Sequence, residues 1–276
     1  MTTMQQKIAE RLHAQSRADV DTEIDRRVKF LQDYLVRTGA KGYVLGMSGG
    51  QDSTLTGKLA QLAVDALNAA APHGDYTFLA VRLPYGVQLD ENDAQDAIAF
   101  IRPTRIVTVD IKPAVDASVM AFEQATGERL SDYLKGNVKA RERMKVQYDL
   151  GAHYRLLVLG TDHAAEAITG FYTKHGDGAC DVAPIYGLNK RQGRAILRRL
   201  DCPKHLYEKH PTADLEDSKP GLPDEVALGI TYEQLDDYLE GKPVDDETRK
   251  RIEERYAGSE HKRRGPVTIY DDWWKP

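Results

Sequence analysis

Cysteine is scarce in this sequence, and long apolar runs are missing. The two cysteines, Cys180 and Cys202, form no CxxC pair, and two thiols cannot build a disulfide framework. No stretch approaches the ~18 apolar residues that a membrane-spanning helix needs, and residues 1–12 lack the apolar core of a signal peptide. We therefore expect a soluble cytoplasmic protein with no membrane partner.

Positive charge is not in surplus either. Lysine and arginine number 38 against 43 aspartates and glutamates, which leaves a formal net charge of −5. A protein that coats nucleic acid usually carries a basic surplus, so we expect no nucleic-acid partner. None of the 8 histidines has HExxH or another metal-binding spacing, which predicts that there is no zinc site.

Short apolar runs alternate with helical stretches along most of the chain. The predicted strands are Tyr43–Met47, Thr77–Arg82, Arg105–Val109 and Leu156–Gly160. The predicted helices are Ile24–Leu35, Thr54–Asn68, Asp90–Ile101, Lys112–Gln124, Ser131–Leu150, Lys190–Leu200, Asp224–Leu239 and Asp245–Tyr256. Such alternation predicts an α/β fold with a parallel sheet flanked by helices. Prolines interrupt the pattern after Asp201, so we expect one domain, 1–276, with a loop-rich C-terminal third.

The first predicted strand leads into the hexapeptide SGGQDS, residues 48–53. This turn lies at the carboxyl end of the strand, where open α/β sheets bind ligands. Gly49 and Gly50 let the backbone approach a bulky anion, and the free amides of the following helix attract it. Asp52 would repel phosphates unless a metal ion lay between them, which predicts Mg²⁺. The alternative is a glycine-rich turn without a ligand. A Walker A loop is excluded because Gly57-Lys58 precedes leucine.

Further polar residues follow later strands or begin helices. Thr161 follows the fourth predicted strand and could cap the next helix or contact a nucleotide, and Glu166 could supply a second oxygen for Mg²⁺. The alternative is an ordinary helix cap with a surface glutamate. Arg82 ends the second strand and Lys190 begins a helix; each is either solvated or a nucleotide ligand.

The remaining candidates lie on a predicted helix and in two loops. Arg141 falls on an apolar helical stripe with Leu134 and Val138, so it needs a buried acid or an anionic ligand as its partner. The glycine- and aromatic-rich stretch 171–181 suits the stacking of a flat ring, but it is equally typical of a surface loop. The basic run 261–264 is either a solvated face or a phosphate footprint.

The hexapeptide resembles the pyrophosphate loop SGGxDS of the ATP pyrophosphatases, which activate a substrate as its adenylate. Seven motifs together are similar to the ammonia-dependent NAD⁺ synthetase family, and they span nearly the whole chain from Val44. They are GMSGGQDSTLTGKLAQLA, FLAVRLPYGVQ, GNVKARERMKVQYD, GTDHAAEAITGF, PTADLE, LPDEVALG and EHKRR.

This resemblance implies a Rossmann-like, adenine nucleotide alpha hydrolase-like sheet and a homodimer. It also implies a reaction between ATP, deamido-NAD⁺ and ammonia. ATP would adenylate the nicotinate carboxylate with loss of pyrophosphate, and ammonia would then displace AMP to give NAD⁺. The sequence contains nothing that resembles a glutaminase domain, so free ammonia is the expected nitrogen source.

The resemblance also implies roles for individual residues. ATP would contact Gly46, Met47, Ser48, Gly49, Gly50, Gln51, Asp52, Ser53, Thr161, Lys190 and Thr212, and we add Arg82 to this set. Deamido-NAD⁺ would contact Arg141, Lys174, Asp181, His261 and Lys262. Asp52 and Glu166 would hold Mg²⁺, and no residue is assigned as an acid or a base.

One departure from the family and two rival functions remain. Relatives carry small or hydroxyl residues just before the aspartate that matches Asp181, where this chain has Ala179-Cys180. We therefore hypothesise that Cys180 lies beside the substrate and can be modified. The rivals are a tRNA-modifying adenylating enzyme, which favours a basic surface and catalytic cysteines, and a nucleotide sensor without turnover. A GMP-synthetase-like module would require an accompanying glutaminase and a different C-terminal dimer domain.

Overall fold

The computed structural model describes residues 3–14, 19–71, 74–86, 91–209, 212–213 and 222–275, with only the backbone described at 212, 213 and 222. The strands are β1 (Gly42–Gly46), β2 (Thr77–Arg82), β3 (Arg105–Thr108), β4 (Leu157–Val158), β5 (Thr212–Ala213) and β6 (Leu222–Pro223). The helices are α1 (Met4–Arg11), α2 (Val20–Thr38), α3 (Gln51–Ala70), α4 (Glu91–Ile101), α5 (Lys112–Thr126), α6 (Asp132–Tyr154), α7 (Ala164–Thr169), α8 (Lys190–Arg199), α9 (Lys204–Glu208), α10 (Asp224–Leu228), α11 (Tyr232–Leu239), α12 (Asp246–Gly258) and α13 (Glu260–Arg263).

The main sheet has the strand order β3-β2-β1-β4, and every pairing in it is parallel. Tyr43 and Leu45 of β1 face a core formed with α2, α3 and α8, whereas Val44 faces a second core with α5 and α6. Both faces of the strand are therefore buried, which explains why β1 is apolar throughout rather than alternating. The predicted α/β fold with a parallel sheet flanked by helices is confirmed.

Helix α7 lies in a third core that the strands do not share. Its residues Ala164, Ala165 and Ile168 pack with Ile8 and Leu12 from the N-terminal segment and with apolar side chains of α11 and α12. The sequence analysis did not predict α1, although Thr3 and Gln6 form a capping box at its start. This core fixes the helix that carries Glu166.

Most predicted elements differ from the structure by a few residues at their ends, and two differ in ways that have a clear local cause. Strand β4 covers two residues rather than Leu156–Gly160. The N–H of Leu159 still donates to the carbonyl of Val44 in β1, but Leu159 pairs with Val182 as an isolated parallel bridge. The predicted helix Asp224–Leu239 is two helices, α10 and α11. Gly229 adopts φ +65° after α10, so it ends that helix in the left-handed conformation.

The apolar stripe predicted on α6 is only partly present: Val138 and Tyr148 pack against the second core, but its other members lie at the surface. Arg141 and Lys145 are exposed, and Leu134 is 46% exposed. The buried positions of this helix are Gly136, Lys139, Ala140, Val146 and Gly151. Small residues occupy this face because the helix lies close to the sheet: a side chain on Gly151 would meet the carbonyl oxygen of Leu156 at 3.0 Å. Among the described residues, no helix is both long and apolar enough to cross a membrane.

Candidate active site

A cavity of about 810 Å³ opens at the carboxyl end of β1. The turn after β1, one face of α6 and the start of α7 line one part of its wall. The segment that follows α7, the first residue of α8 and the residues before and within α13 line the rest. The size and the position both suit a small-molecule site in an open parallel sheet.

The turn after β1 is held in shape by contacts from two helices. Gly49 has φ +78°, and a Cβ atom there would lie 2.6 Å from the backbone nitrogen of Ala94 in α4. The N–H of Gly46 donates to Oε1 of Gln147 in α6 at 2.6 Å. Gly50 is the N-cap of α3 and offers no side-chain acceptor. The first residues of this helix line the cavity, so their free amides are available there as anion donors.

Two hydroxyl groups line the same turn. Oγ of Ser48 lies 3.0 Å from Oγ of Ser53, and Oγ of Ser48 also accepts the N–H of Gly50 at 3.2 Å. The hydroxyls are thus oriented by each other and by the backbone. With the helix amides they form a set of donors for phosphate oxygens.

Four ionisable side chains meet at the floor of the cavity. Asp52 lies between Lys190, with Nζ 2.6 Å from Oδ2, and His163, with Nε2 3.5 Å from Oδ1. Nε2 of His163 also lies 3.6 Å from Oε1 of Glu166. The structure therefore brings Asp52, Glu166 and Lys190 together, although they are far apart in the sequence.

The charges of this cluster shift one another's pKa. Burial alone would raise the pKa of Asp52, but the Lys190 ammonium and His163 hold it well below its usual value. Burial raises the pKa of Glu166 well above its usual value, and the charge of Asp52 adds to this effect. The two carboxylates repel each other, and a bound cation would relieve this repulsion.

This cluster could hold a divalent cation. Asp52, His163 and Glu166 each offer a ligand atom, and these atoms all lie within 4.8 Å of one another. Asp52 and Glu166 provide the carboxylate oxygens that Mg²⁺ prefers. The two residues named as magnesium ligands from the sequence are thus placed where they could share one ion.

His163 belongs to the site, and the sequence analysis missed it. It is 2% exposed and is the N-cap of α7, where Nδ1 accepts the N–H of Ala165 at 3.2 Å. The alternative in which Thr161 caps this helix is therefore wrong; Thr161 lies two residues earlier and lines the cavity. The sequence did carry a signal for this cap. His163 lies three residues before Glu166, which is the spacing between an N-cap residue and an acidic residue in the first turn of a helix.

Lys190 is held by contacts that fix its backbone. Its carbonyl accepts Nε2–H of Gln51 at 2.9 Å, and its N–H donates to Asp236 at 3.1 Å. Asn189 and Gln192 form a capping box around the start of α8. Asp236 was not singled out from the sequence, because its contact with Lys190 spans two helices.

The residues expected to contact ATP fall into two groups. Those that line the cavity are Gly46, Met47, Ser48, Gly50, Gln51, Asp52, Ser53, Thr161 and Lys190. Gly49 lies behind them against α4, and the guanidinium of Arg82 is paired with Glu91 rather than turned to the cavity. The side chain of Thr212 lies outside the described residues.

The residues expected to contact deamido-NAD⁺ are more dispersed. His261 and Lys262 line the cavity, and Nζ of Lys262 donates to the carbonyls of Gly170 and Tyr172 at 2.8 and 2.7 Å. Nζ of Lys174 donates to the carbonyl of His261 at 2.7 Å, so it supports the wall from behind. Two further members of this set do not line the cavity. Arg141 is exposed, and the carboxylate of Asp181 accepts the N–H of Val158 at 2.8 Å.

Cys180 is half-buried beside Gly160, and it is not among the side chains that line the cavity. Burial raises the pKa of its thiol to about 11, and the charge of Asp162 adds to this effect. A thiol with this pKa is almost entirely protonated at neutral pH and reacts slowly. The geometry therefore gives no support to ready modification of Cys180.

A glycine-rich turn with anion donors and a carboxylate pair, at the carboxyl edge of a parallel sheet, defines an ATP-binding α/β enzyme. The family model described as NAD synthase matches residues 23–266. The chain belongs to the NAD synthase family.

Individual relatives agree with this membership. A protein of Halalkalibacterium halodurans named NH(3)-dependent NAD(+) synthetase is 68% identical over 272 residues, which cover 99% of this chain and 100% of the relative. The crystal structure of an NAD⁺ synthetase from Burkholderia pseudomallei superimposes with a TM-score of 0.82 at 46% identity, covering 94% of this chain and 95% of that one. An NMN synthetase from Francisella tularensis superimposes with a TM-score of 0.80 at 32% identity, covering 92% of this chain and 100% of that one.

Proposed function

We propose that this protein amidates deamido-NAD⁺ with ammonia and ATP, the last step of NAD synthesis, through an adenylate intermediate. The observation that carries this function is the juxtaposition of Asp52, Glu166 and Lys190 beneath the turn Ser48–Ser53, in a chain of the NAD synthase family. The products are NAD⁺, AMP and pyrophosphate.

The residues of the turn act on the phosphate groups of ATP. The amides at the start of α3 and the hydroxyls of Ser48 and Ser53 bind the phosphates, and their positions are fixed before the substrate arrives. Lys190 adds a positive charge, which stabilises the negative charge that grows on pyrophosphate as it leaves. Mg²⁺ held by Asp52 and Glu166 would add Lewis-acid stabilisation of the same charge.

Adenylation overcomes the poor reactivity of the nicotinate carboxylate. Hydroxide is a bad leaving group, whereas AMP is a good one, so ammonia can attack once the adenylate has formed. Binding both substrates in one cavity places the carboxylate next to the phosphates. His261 and Lys262, which line the cavity, are proposed contacts of deamido-NAD⁺.

A homodimer is part of the proposal. Met120 and Phe122 of α5 and Tyr133 of α6 are large side chains that are 56%, 39% and 64% exposed on two helices packed against each other. Large apolar side chains that stay exposed on neighbouring helices are typical of a protein interface. A second copy covering this region would also give Arg141, which is exposed on α6, a place at a dinucleotide site. ATP as co-substrate supports a cytoplasmic location.

One assay tests the function directly. Purified protein is mixed with ATP, Mg²⁺, ammonium and either deamido-NAD⁺ or the corresponding acid mononucleotide, and NAD⁺, AMP and pyrophosphate are quantified. We expect the three products in equal amounts with deamido-NAD⁺. A preference for the mononucleotide would assign the acceptor of the NMN synthetase neighbour instead, and ADP with phosphate would contradict the role of the turn.

Variants test the metal ligands. Asp52→Ala and Glu166→Ala are each expected to lower the turnover number by at least ~10²-fold, the scale of losing a key stabilising contact. Asp33→Ala removes an exposed carboxylate on α2 and serves as the matched control. Near-normal rates of the two site variants at saturating Mg²⁺ would reject their metal role.

A further inference from the structure

The donor set around Asp52 raises a question of metal identity. Two carboxylates and an imidazole, with ligand atoms within 4.8 Å of one another, are a combination that zinc and other transition metals also accept. The two carboxylates alone would instead suit Mg²⁺. The role of His163 therefore decides which class of cation the site prefers.

The helix cap settles where the proton of His163 lies. Nδ1 accepts the N–H of Ala165 at 3.2 Å, so Nδ1 carries a lone pair and no proton. A neutral imidazole has one N–H, which must then be on Nε2. A metal ion binds through a lone pair, and a protonated Nε2 has none to offer.

The protonated Nε2 points at the carboxylates. It lies 3.5 Å from Oδ1 of Asp52 and 3.6 Å from Oε1 of Glu166, slightly beyond a formed hydrogen bond, and it has no other partner among the described residues. The other oxygen of Asp52, Oδ2, already accepts Nζ–H of Lys190 at 2.6 Å. A small movement of the Asp52 carboxylate would give each of its oxygens one donor.

We propose that His163 is a positioning residue, whose Nε2–H donates to Oδ1 of Asp52, and that it is not a metal ligand. The cluster is then left with oxygen ligands only and selects a hard divalent cation such as Mg²⁺ over zinc. Zinc could use Nε2 only if the proton moved to Nδ1, and the N–H of Ala165 would then lose its acceptor at the start of α7. The selectivity part of this inference rests on the proposed magnesium site.

Nitrogen NMR tests the tautomer without any metal or turnover. In protein labelled with ¹⁵N-histidine, long-range ¹H–¹⁵N spectra distinguish a protonated ring nitrogen from an unprotonated one, and comparison with His163→Asn identifies the signals of His163. We expect a protonated Nε2 and an unprotonated Nδ1, both in metal-free protein and with saturating Mg²⁺. A protonated Nδ1, or loss of the Nε2 proton when Mg²⁺ binds, would overturn the proposal.

A Mn²⁺ probe tests coordination directly. Pulsed EPR of the Mn²⁺-loaded, ¹⁵N-histidine-labelled protein detects nitrogen bound to the metal. We expect no directly coordinated nitrogen, and a coordinated nitrogen that is lost in His163→Asn would overturn the proposal. If neither Mg²⁺ nor Mn²⁺ binds, the proposed magnesium site is wrong. The tautomer of His163 in the metal-free protein still tests the hydrogen bond from Nε2 to Asp52.

Two variants separate the two nitrogens of the ring. His163→Asn keeps an acceptor near Nδ1 for the helix cap but has no donor at Nε2, whereas His163→Gln carries an N–H group toward Nε2 and loses the cap geometry. We expect His163→Asn to melt near the parent protein and to need ~10–100-fold more Mg²⁺ for half-maximal rate. His163→Gln should melt lower yet recover part of the Mg²⁺ affinity. If the Mg²⁺ requirement of the two variants instead followed their melting temperatures, with His163→Gln the more impaired, the role of His163 would be purely structural.

Discussion

The buried carboxylate of Asp236 in α11 accepts the backbone N–H of Lys190 at the start of α8, at 3.1 Å. The same carboxylate accepts the N–H of Arg191 at 2.8 Å and is 2% exposed. One acid thus satisfies two helix-start amides and holds the backbone of the residue whose ammonium reaches Asp52.

Removing this acid should destabilise the fold. Asp236→Ala leaves two helix-start amides, one buried and one partly buried, without an acceptor, so we expect the free energy of unfolding to fall by about 2–4 kcal/mol. Urea unfolding measures this change. Asp237→Ala is the control, because its carboxylate forms only partly exposed ion pairs with Arg191 and Lys242; about 1 kcal/mol or less is expected. Equal losses in the two variants would contradict the role given to Asp236.

Lys190 itself should matter for catalysis. Its side chain is 3% exposed, and its Nζ forms an ion pair with the carboxylate of Asp52. Lys190→Ala therefore removes the positive charge next to the proposed phosphate site. We expect the turnover number for pyrophosphate release to fall by ~10²-fold or more. Lys190→Arg should not restore it, because a planar guanidinium does not fit the space of a buried ammonium. Arg194→Ala, on the exposed side of α8, should leave turnover unchanged.

The two glycines of the turn should respond differently to substitution. Gly49 has φ +78° and touches the backbone of Ala94, so Gly49→Ala combines an unfavourable conformation with a clash and should cost more than about 2 kcal/mol. Gly50 has φ −82°, and the nearest atom to an added Cβ is Oγ of Ser48 at 3.4 Å. Gly50→Ala should stay within about 1 kcal/mol in urea unfolding. A larger loss for Gly50→Ala would refute this account of the turn.

Asp162 makes stability depend on pH. Burial raises the pKa of Asp162 to about 7, and the charge of Asp177 adds to the shift, whereas an unfolded aspartate titrates near 3.9. Between these values the folded state binds the extra proton, so this group lowers the free energy of unfolding as the pH rises from about 4 to about 7.

Asp162→Asn removes this titration. Its stability relative to the parent protein should increase by about 2–3 kcal/mol between pH 5 and pH 8, measured by urea unfolding at both values. Asp33→Asn, at an exposed position, should show no such difference. An advantage of Asp162→Asn that is constant with pH would contradict the raised pKa.

The fold was largely predictable from the sequence because its strands are buried on both faces. Continuous apolar runs then mark β1 and β2, and strand-to-helix turns mark the ligand edge. The turn 48–53 was predictable for the same reason, since its residues are adjacent in the chain. The stripe on α6 was misjudged because three of its five buried residues are glycine or alanine, which apolar periodicity does not register, and a fourth is Lys139.

Contacts between distant elements were beyond this kind of prediction. Asp236 approaches Lys190 only after α11 packs on α8, and no spacing within either helix records that contact. His163 was passed over because its spacing matches no zinc motif, whereas its position depends on the cap of α7. Arg82 lies at a strand end as predicted, yet its partner Glu91 comes from the next helix.

The third core has a consequence for the order of folding during synthesis. Ile8 and Leu12 are 1% exposed, and they pack in the cluster that includes Tyr238 and Ile252, more than two hundred positions later in the chain. A growing chain emerges from the ribosome with its N-terminal part first. Helix α1 therefore cannot complete its packing until α11 and α12 have been made, and α7 with Glu166 is fully enclosed only then. The sheet can assemble early, but the half of the site that carries Glu166 is completed near the end of translation.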